Sequence, residues 1–240
     1  LNLGTIFLTS TFPKEGKTFI SVNLAATFAL SGKKVLIIGM DIRNPKLDEY
    51  MEMPQRGLTN FLADKNETSI DDFIVKSPNV SNLNVLPAGI IPPNPAELLM
   101  SKKVTEMFSY LKQKYDYIIL DTPPVGIVSD ALELAQYSDV ILYIVRQNFT
   151  KKEMITSLNN RVKRGELNNT SVILNGFENK AKYGAGYGYG YGYGYGSGYG
   201  YGNKTYSNGY HDDDKPKTIF EKIRAKFRKN KFKNKTGLEG

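Results

Sequence analysis

An apolar run at Thr5–Leu8, the octapeptide T-F-P-K-E-G-K-T at Thr11–Thr18 and a helical pattern from Phe19 to Leu30 follow in immediate succession. This succession constrains the fold more than any other stretch. A strand that enters a tight loop and then a helix leaves the first amides of that helix without intrahelical acceptors, directed into the loop. A polyphosphate fits such a place. Lys17 would reach the β- and γ-phosphates and the Thr18 hydroxyl would ligand Mg²⁺, which is why both must follow Gly16 directly. In G-x-x-x-x-G-K-[ST] the first Gly falls at Thr11, so Gly16, Lys17 and Thr18 alone satisfy the fixed positions. G-K-T also opens ordinary helices, and the surrounding pattern has to carry the phosphate reading.

That pattern is an alternation of strands and helices. Strands are expected at Gly4–Thr9, Lys34–Met40, Leu83–Leu86, the run ending at Asp121, Asp139–Arg146 and Ser171–Asn175. Most are apolar on both faces, as buried parallel strands are. Helices are expected at Gly16–Ser31, Gly57–Asp64, Ser69–Lys76, from Pro95 with Asn94 as cap, at Lys102–Lys114 and at Thr150–Arg164. The fold class is therefore α/β, a mostly parallel sheet with right-handed crossovers and helices on both faces. Ligands of such sheets bind at the carboxyl ends of the strands. Lys17, Asp41, Asp121 and Asn175 all fall there. Asp121 ends an apolar strand and suits Mg²⁺ across from Thr18, while Asn175 is placed to read a base edge. Asp41 and Arg43 read either as site residues or as a solvated charged turn punctuated by Pro45. Asp130 reads as the cap of the next helix, with γ-phosphate sensing as the alternative.

Composition narrows the partners. There are no cysteines, which excludes disulfides and thiol chemistry, and a lone His211 builds no metal site. No apolar run reaches the roughly 20 residues that span a bilayer, and no signal-peptide pattern is present. Opening at Leu1 inside a strand, the chain is expected to be a fragment of a longer protein. Its net charge of +8 is confined to residues 215–240, where ten Lys or Arg meet Glu221 and Glu239. The rest is balanced, which disfavours a specific nucleic-acid-binding domain.

Three segments are expected: a globular domain at 1–182, a Tyr/Gly-rich segment at 183–210 and an acidic-then-basic tail at 211–240. Ten glycines in the twenty residues Tyr183–Gly202 argue for an exposed, flexible stretch. Its period of two also permits a strand with every tyrosine on one face. In the tail, Ile219, Phe220, Ile223 and Phe227 share one helical face amid basic residues. An anionic membrane surface would hold such a helix, while a solvated basic tail is the alternative.

The blocks P-K-E-G-K-T-F-I-S-V-N-L-A, V-L-I-I-G-M-D-I-R-N-P, L-P-A-G-I-I-P-P-N-P-A-E-L-L and Y-D-Y-I-I-L-D-T-P-P-V, closed by a tyrosine cluster, resemble the bacterial tyrosine kinases of capsule and exopolysaccharide export. The resemblance spans residues 3–210. It implies a P-loop NTPase fold related to partition and division-site ATPases, and an ATP- and Mg²⁺-dependent kinase that phosphorylates a neighbouring copy's tyrosines. The acceptors would be Tyr183, Tyr187, Tyr189, Tyr191, Tyr193, Tyr195, Tyr199, Tyr201, Tyr206 and Tyr210. The implied partners are a ring-like homo-oligomer, with an octamer as the candidate size, a membrane adaptor domain upstream or on another chain, and a cognate tyrosine phosphatase. The implied location is the cytoplasmic face of the bacterial inner membrane, and the implied role is control of polysaccharide polymerisation and export.

Residue by residue, the resemblance makes Lys17, Asp41, Arg43 and Asp121 the catalytic set and Thr18, Asp41 and Asp121 the metal set. Lys14, Glu15, Gly16, Lys17, Thr18, Phe19 and Asn175 are the expected nucleotide contacts. The family's second block usually reads D-x-D-x-R, and its first Asp is Gly39 here; Lys14 stands where a Gly is common. The E-x-x-R-x-x-R assembly motif, normally upstream of the first strand, is absent from this sequence. Asp41 is left as the base for the tyrosine hydroxyl. A partition-type ATPase and a non-catalytic nucleotide-gated adaptor are the alternatives; the former carries a Lys where this chain has Phe12.

Overall fold

β1 (Thr5–Ser10) is buried along its whole length, as an apolar run with neighbours on both edges and layers on both faces must be. The computed structural model describes residues 4–65 and 68–178, without the side chain of Asp130. The expectations for segments 183–210 and 211–240, including all ten acceptor tyrosines, lie outside the described residues. The described part belongs to one compact unit ending at Asn179.

Among the described residues seven strands form one sheet. β2 (Val35–Gly39), β3 (Val75–Lys76), β4 (Leu83–Leu86), β5 (Tyr117–Asp121), β6 (Val140–Arg146) and β7 (Thr170–Asn175) join β1 in the order β3-β4-β2-β5-β1-β6-β7. Every neighbouring pair is parallel except β3 with β4. Parallel pairing requires crossovers, and these are built from α1 (Lys17–Leu30), α2 (Leu58–Ala63), α3 (Pro95–Leu99), α4 (Lys102–Lys114), a 3-10 helix at Ser129–Tyr137 and α5 (Lys152–Lys163).

Side-chain alternation divides the core into two layers. Phe7, Leu36, Ile38, Ile118 and Leu120 share a core with Val104, Phe108 and Leu111 of α4 and Leu158 of α5. Leu8, Val35, Ile37 and Ile119 alternate with them. On that second face α1 contacts β1, β2 and β5 and buries Val22, Ala25, Ala26 and Ala29. Small residues let the helix that begins at the phosphate loop lie close to the sheet.

The helix expected at Ser69–Lys76 is a single 3-10 turn, Ile70–Phe73, followed by β3. Ile70 and Phe73 are buried at helical spacing, but Val75 pairs with Val85 at the sheet edge, where β-branched residues fit well. Asn94 does precede α3, yet its amide donates to Glu97 Oε2 at 2.7 Å and accepts nothing from the helix. The helix expected to open at Asp130 begins one residue earlier, at Ser129.

Phe108 is 2% exposed and stacks on Tyr137 with ring centroids 4.5 Å apart. Phe108→Ala is therefore expected to lower unfolding free energy by about 3–5 kcal/mol, read as a lower urea midpoint at unchanged slope.

Candidate active site

The carboxyl ends of β1, β2 and β5 converge because the three strands are adjacent, parallel and in register: Leu8 and Gly39 both pair with Asp121. β1 ends at Ser10, and the loop that follows reaches α1 at Gly16. Gly16 has φ 99°, a left-handed conformation that costs other residues strain, and a Cβ there would come within 2.1 Å of Asn175 Nδ2. Glycine is required at this position on both counts. The first helical bond runs from Ile20 N–H to Gly16 O at 3.0 Å, so the amides of Lys17, Thr18 and Phe19 have no acceptor within the helix.

Lys17 is 8% exposed, and its Nζ donates to Ser10 Oγ at 3.0 Å. Burial pulls the ammonium pKa down, while the charges of Asp121, Asp41 and Glu15 hold it up. Asp121 is 2% exposed; burial pushes its carboxyl up to about 6, against hydrogen bonds from Thr18 and Ser21 and the charge of Lys17. The Ser21 Oγ–Asp121 Oδ1 distance is 3.1 Å. Asp41 is raised as well, chiefly by burial, although Asn44 N–H donates to its Oδ1 at 3.1 Å.

Lys14, Gly16, Lys17, Thr18 and Phe19, with Asp41 and Arg43, line one cavity of about 550 Å³. Asp41 also lines a neighbouring cavity of about 510 Å³, together with Gly39 and Asp121. Glu15 and Asn175 stand apart. Glu15 is fully buried and takes hydrogen bonds from Phe12 N–H and Thr150 Oγ1. Asn175 donates to Glu15 O at 2.8 Å and accepts from Gly176 N–H at 2.8 Å. Both fasten the loop. Sequence reasoning passed over Ser10, Ser21, Arg146 and Thr150. Ser21 lies one helical turn after Thr18, a spacing that marks the same face, whereas Arg146 and Thr150 carry no local signal.

The donor set suits Mg²⁺. A buried, dry carboxylate beside a hydroxyl is hard oxygen chemistry, and the raised Asp121 pKa is what a carboxyl shows where a cation is needed. Among the described residues no group of three or more His, Cys, Asp or Glu is placed to hold a metal.

Residues 14–172 match the family described as AAA domain. The chain is 39% identical over 150 residues to tyrosine-protein kinase YwqD of Bacillus subtilis, covering 62% of each. It is 35% identical over 175 residues to tyrosine-protein kinase CpsD of Streptococcus pneumoniae serotype 4, covering 72% of this chain and 76% of that one. The chain belongs to the bacterial tyrosine kinase family. Among solved structures, the kinase domain of Escherichia coli tyrosine kinase ETK superposes with a TM-score of 0.69 at 30% identity, over 79% of this chain and 74% of that one. The chain spans less than two thirds of the length of YwqD.

Two features depart from the pattern that the family resemblance implies. A Cβ at Gly39 would meet Ala88 N at 3.0 Å and Leu47 Cδ1 at 3.2 Å, so a side chain there requires these neighbours to shift by a few tenths of an ångström. Lys14, standing where glycine is common, has φ 70°. The backbone asks for glycine and receives lysine. Lys14→Gly is expected to raise stability by roughly 0.5–1 kcal/mol, because relief of left-handed strain exceeds glycine's added unfolded-state entropy; urea unfolding measures it.

The Asp121 pKa of about 6 lies above its ordinary 3.8, so without metal the unfolded chain releases this proton first as pH rises. Stability from this group is lost between about pH 4 and pH 6. Relative to Asp121→Asn, the metal-free protein is expected to lose on the order of 3 kcal/mol between pH 4 and pH 7.5. A difference that stays constant across this range in urea titrations would refute the burial argument.

Proposed function

We propose that this chain is an ATP- and Mg²⁺-dependent protein-tyrosine kinase that transfers the γ-phosphoryl group to tyrosines between Tyr183 and Tyr210 of an adjacent copy. The observation that carries the reading is the position of Asp41, where the cavity bearing the phosphate loop meets a second cavity. Family membership supports it.

The amides of Lys17, Thr18 and Phe19 and the Lys17 ammonium bind the phosphates and stabilise charge that grows on them in the transition state. The Thr18 hydroxyl and the Asp121 carboxylate would hold Mg²⁺, which would supply further neutralisation of the phosphate charge. The acceptor side chain enters through the second cavity. Its oxygen forms the new bond to the γ-phosphorus, the bond from that phosphorus to the β–γ bridging oxygen breaks, and ADP leaves. Tyrosine has a pKa near 10, so its proton departs late and goes to the Asp41 carboxylate. The raised Asp41 pKa makes it a better acceptor than an ordinary surface carboxylate. Arg43 lines the cavity that bears the phosphate loop and adds positive charge near the transferred group.

From the family resemblance we infer further that the acting form is a ring-like homo-oligomer, that its adaptor lies at the bacterial inner membrane, that a phosphatase opposes it, and that the cycle governs capsular or extracellular polysaccharide export. The basic tail would hold an anionic membrane surface. Among the described residues no helix is long and apolar enough to cross a membrane.

Incubation of the full chain with radiolabelled ATP and Mg²⁺ tests the reading. Label is expected on tyrosine, to fall by most of its amount on deletion of residues 183–210, and to drop at least about tenfold in Asp41→Asn. Free phosphate without phosphotyrosine would instead identify an ATPase, and neither product a nucleotide-gated adaptor. Phosphopeptides mapping only outside 183–210 would refute the tail as acceptor.

A further inference from the structure

The phosphate loop is fastened from outside by groups that the transfer chemistry does not use. Glu15 has no exposed surface, a costly place for a carboxylate unless both oxygens are hydrogen-bonded. Its Oε2 accepts from Phe12 N–H at 2.8 Å, and its Oε1 accepts from Thr150 Oγ1. The Thr150 hydroxyl in turn accepts from Arg146 N–H at 2.8 Å. The Arg146 guanidinium donates to Lys14 O at 2.8 Å, and Asn175 Nδ2 donates to Glu15 O at 2.8 Å. Three groups of the loop are thus tied to the carboxyl ends of β6 and β7 and to the turn before α5. A fourth tie joins Thr11 Oγ1 to the buried Tyr143 hydroxyl at 2.8 Å.

A negative charge inside an anion-binding loop opposes the ligand. Here both Glu15 oxygens are engaged by donors, and the side chain lines neither cavity described above. Without the Thr150 hydroxyl, one oxygen would lack its partner and the side chain would be drawn toward the Lys17 ammonium, which already feels its charge and which the phosphates need.

We propose that Thr150, acting through Glu15, is a positioning residue of the phosphate loop: it holds the loop in its binding shape before nucleotide arrives and turns the Glu15 charge away from the phosphates. This rests on the nucleotide reading of the loop and assigns Thr150 no contact with substrate. Arg146 completes the brace by fixing Lys14 O, the carbonyl of a non-glycine loop residue held in left-handed backbone.

The test compares the wild-type chain with Thr150→Val and Thr150→Ser. The first readout is amide hydrogen exchange over residues 12–16 without nucleotide, and the second is Mg-ADP affinity by fluorescence titration below the melting temperature. Valine is expected to speed exchange and to weaken Mg-ADP binding by about tenfold, as loss of a hydrogen bond to a charged group does, whereas serine retains wild-type behaviour in both. Glu15→Gln, which keeps the shape and replaces one acceptor by a donor, is expected to resemble valine and serves if Thr150→Val does not fold. Wild-type exchange and affinity in the folded valine variant would overturn the proposal, and so would a lower melting temperature with both readouts unchanged. A wild type that fails to bind Mg-ADP would refute the phosphate-site reading; the exchange measurement would still decide the brace.

Discussion

Burying the Lys17 ammonium is the constraint on which the rest of the site depends. A charge removed from water is tolerated only where other groups replace its hydration, and Lys17 is 8% exposed. The Ser10 hydroxyl supplies a direct acceptor, and Asp121, Asp41 and Glu15 supply opposing charge. Each comes from a different place in the chain. Ser10 ends β1, Asp121 ends β5, Asp41 follows β2, and all reach Lys17 because these strands are adjacent and parallel. The sheet order is therefore part of the electrostatics: exchanging two central strands would leave the ammonium without its counter-charges.

Burial raises both Asp121 and Asp41 above ordinary carboxylates, Asp121 to about 6. The two acids differ in position. Asp121 sits deep, bonded to Thr18 and Ser21, whereas Asp41 lies in a turn closed by Asn44 N–H and lines both cavities. With Gly39 packed tightly against Ala88 and Leu47, the carboxylates at this edge of the sheet are Asp41 after β2 and Asp121 at the end of β5.

Much of the architecture was legible because it is local. Helix Lys102–Lys114 follows from Val104, Met107, Phe108 and Leu111 at helical spacing, and all four are buried. Strand Leu83–Leu86 and the ends of β5 and β7 follow from apolar runs and their punctuation. The short helix read at Ser69–Lys76 failed for a physical reason: a single 3-10 turn already buries Ile70 and Phe73, and pairing of Val75 with Val85 of β4 drew the rest into an edge strand. Asn94 held the cap position, but Glu97 offered its amide a charged acceptor.

By itself the sequence determined the parallel sheet, the helix that begins at Lys17, and the presence of Lys17, Asp41 and Asp121 at one edge, because apolar periodicity and strand ends are properties of neighbouring residues. What Glu15, Asn175, Arg146 and Thr150 do was decided only by the tertiary structure. Glu15 and Thr150 are 135 positions apart, and Asn175 lies 160 from Glu15. No pattern within a dozen residues encodes such a contact. It exists because β6 and β7 stack in register beside β1, carrying their carboxyl ends to the back of the phosphate loop.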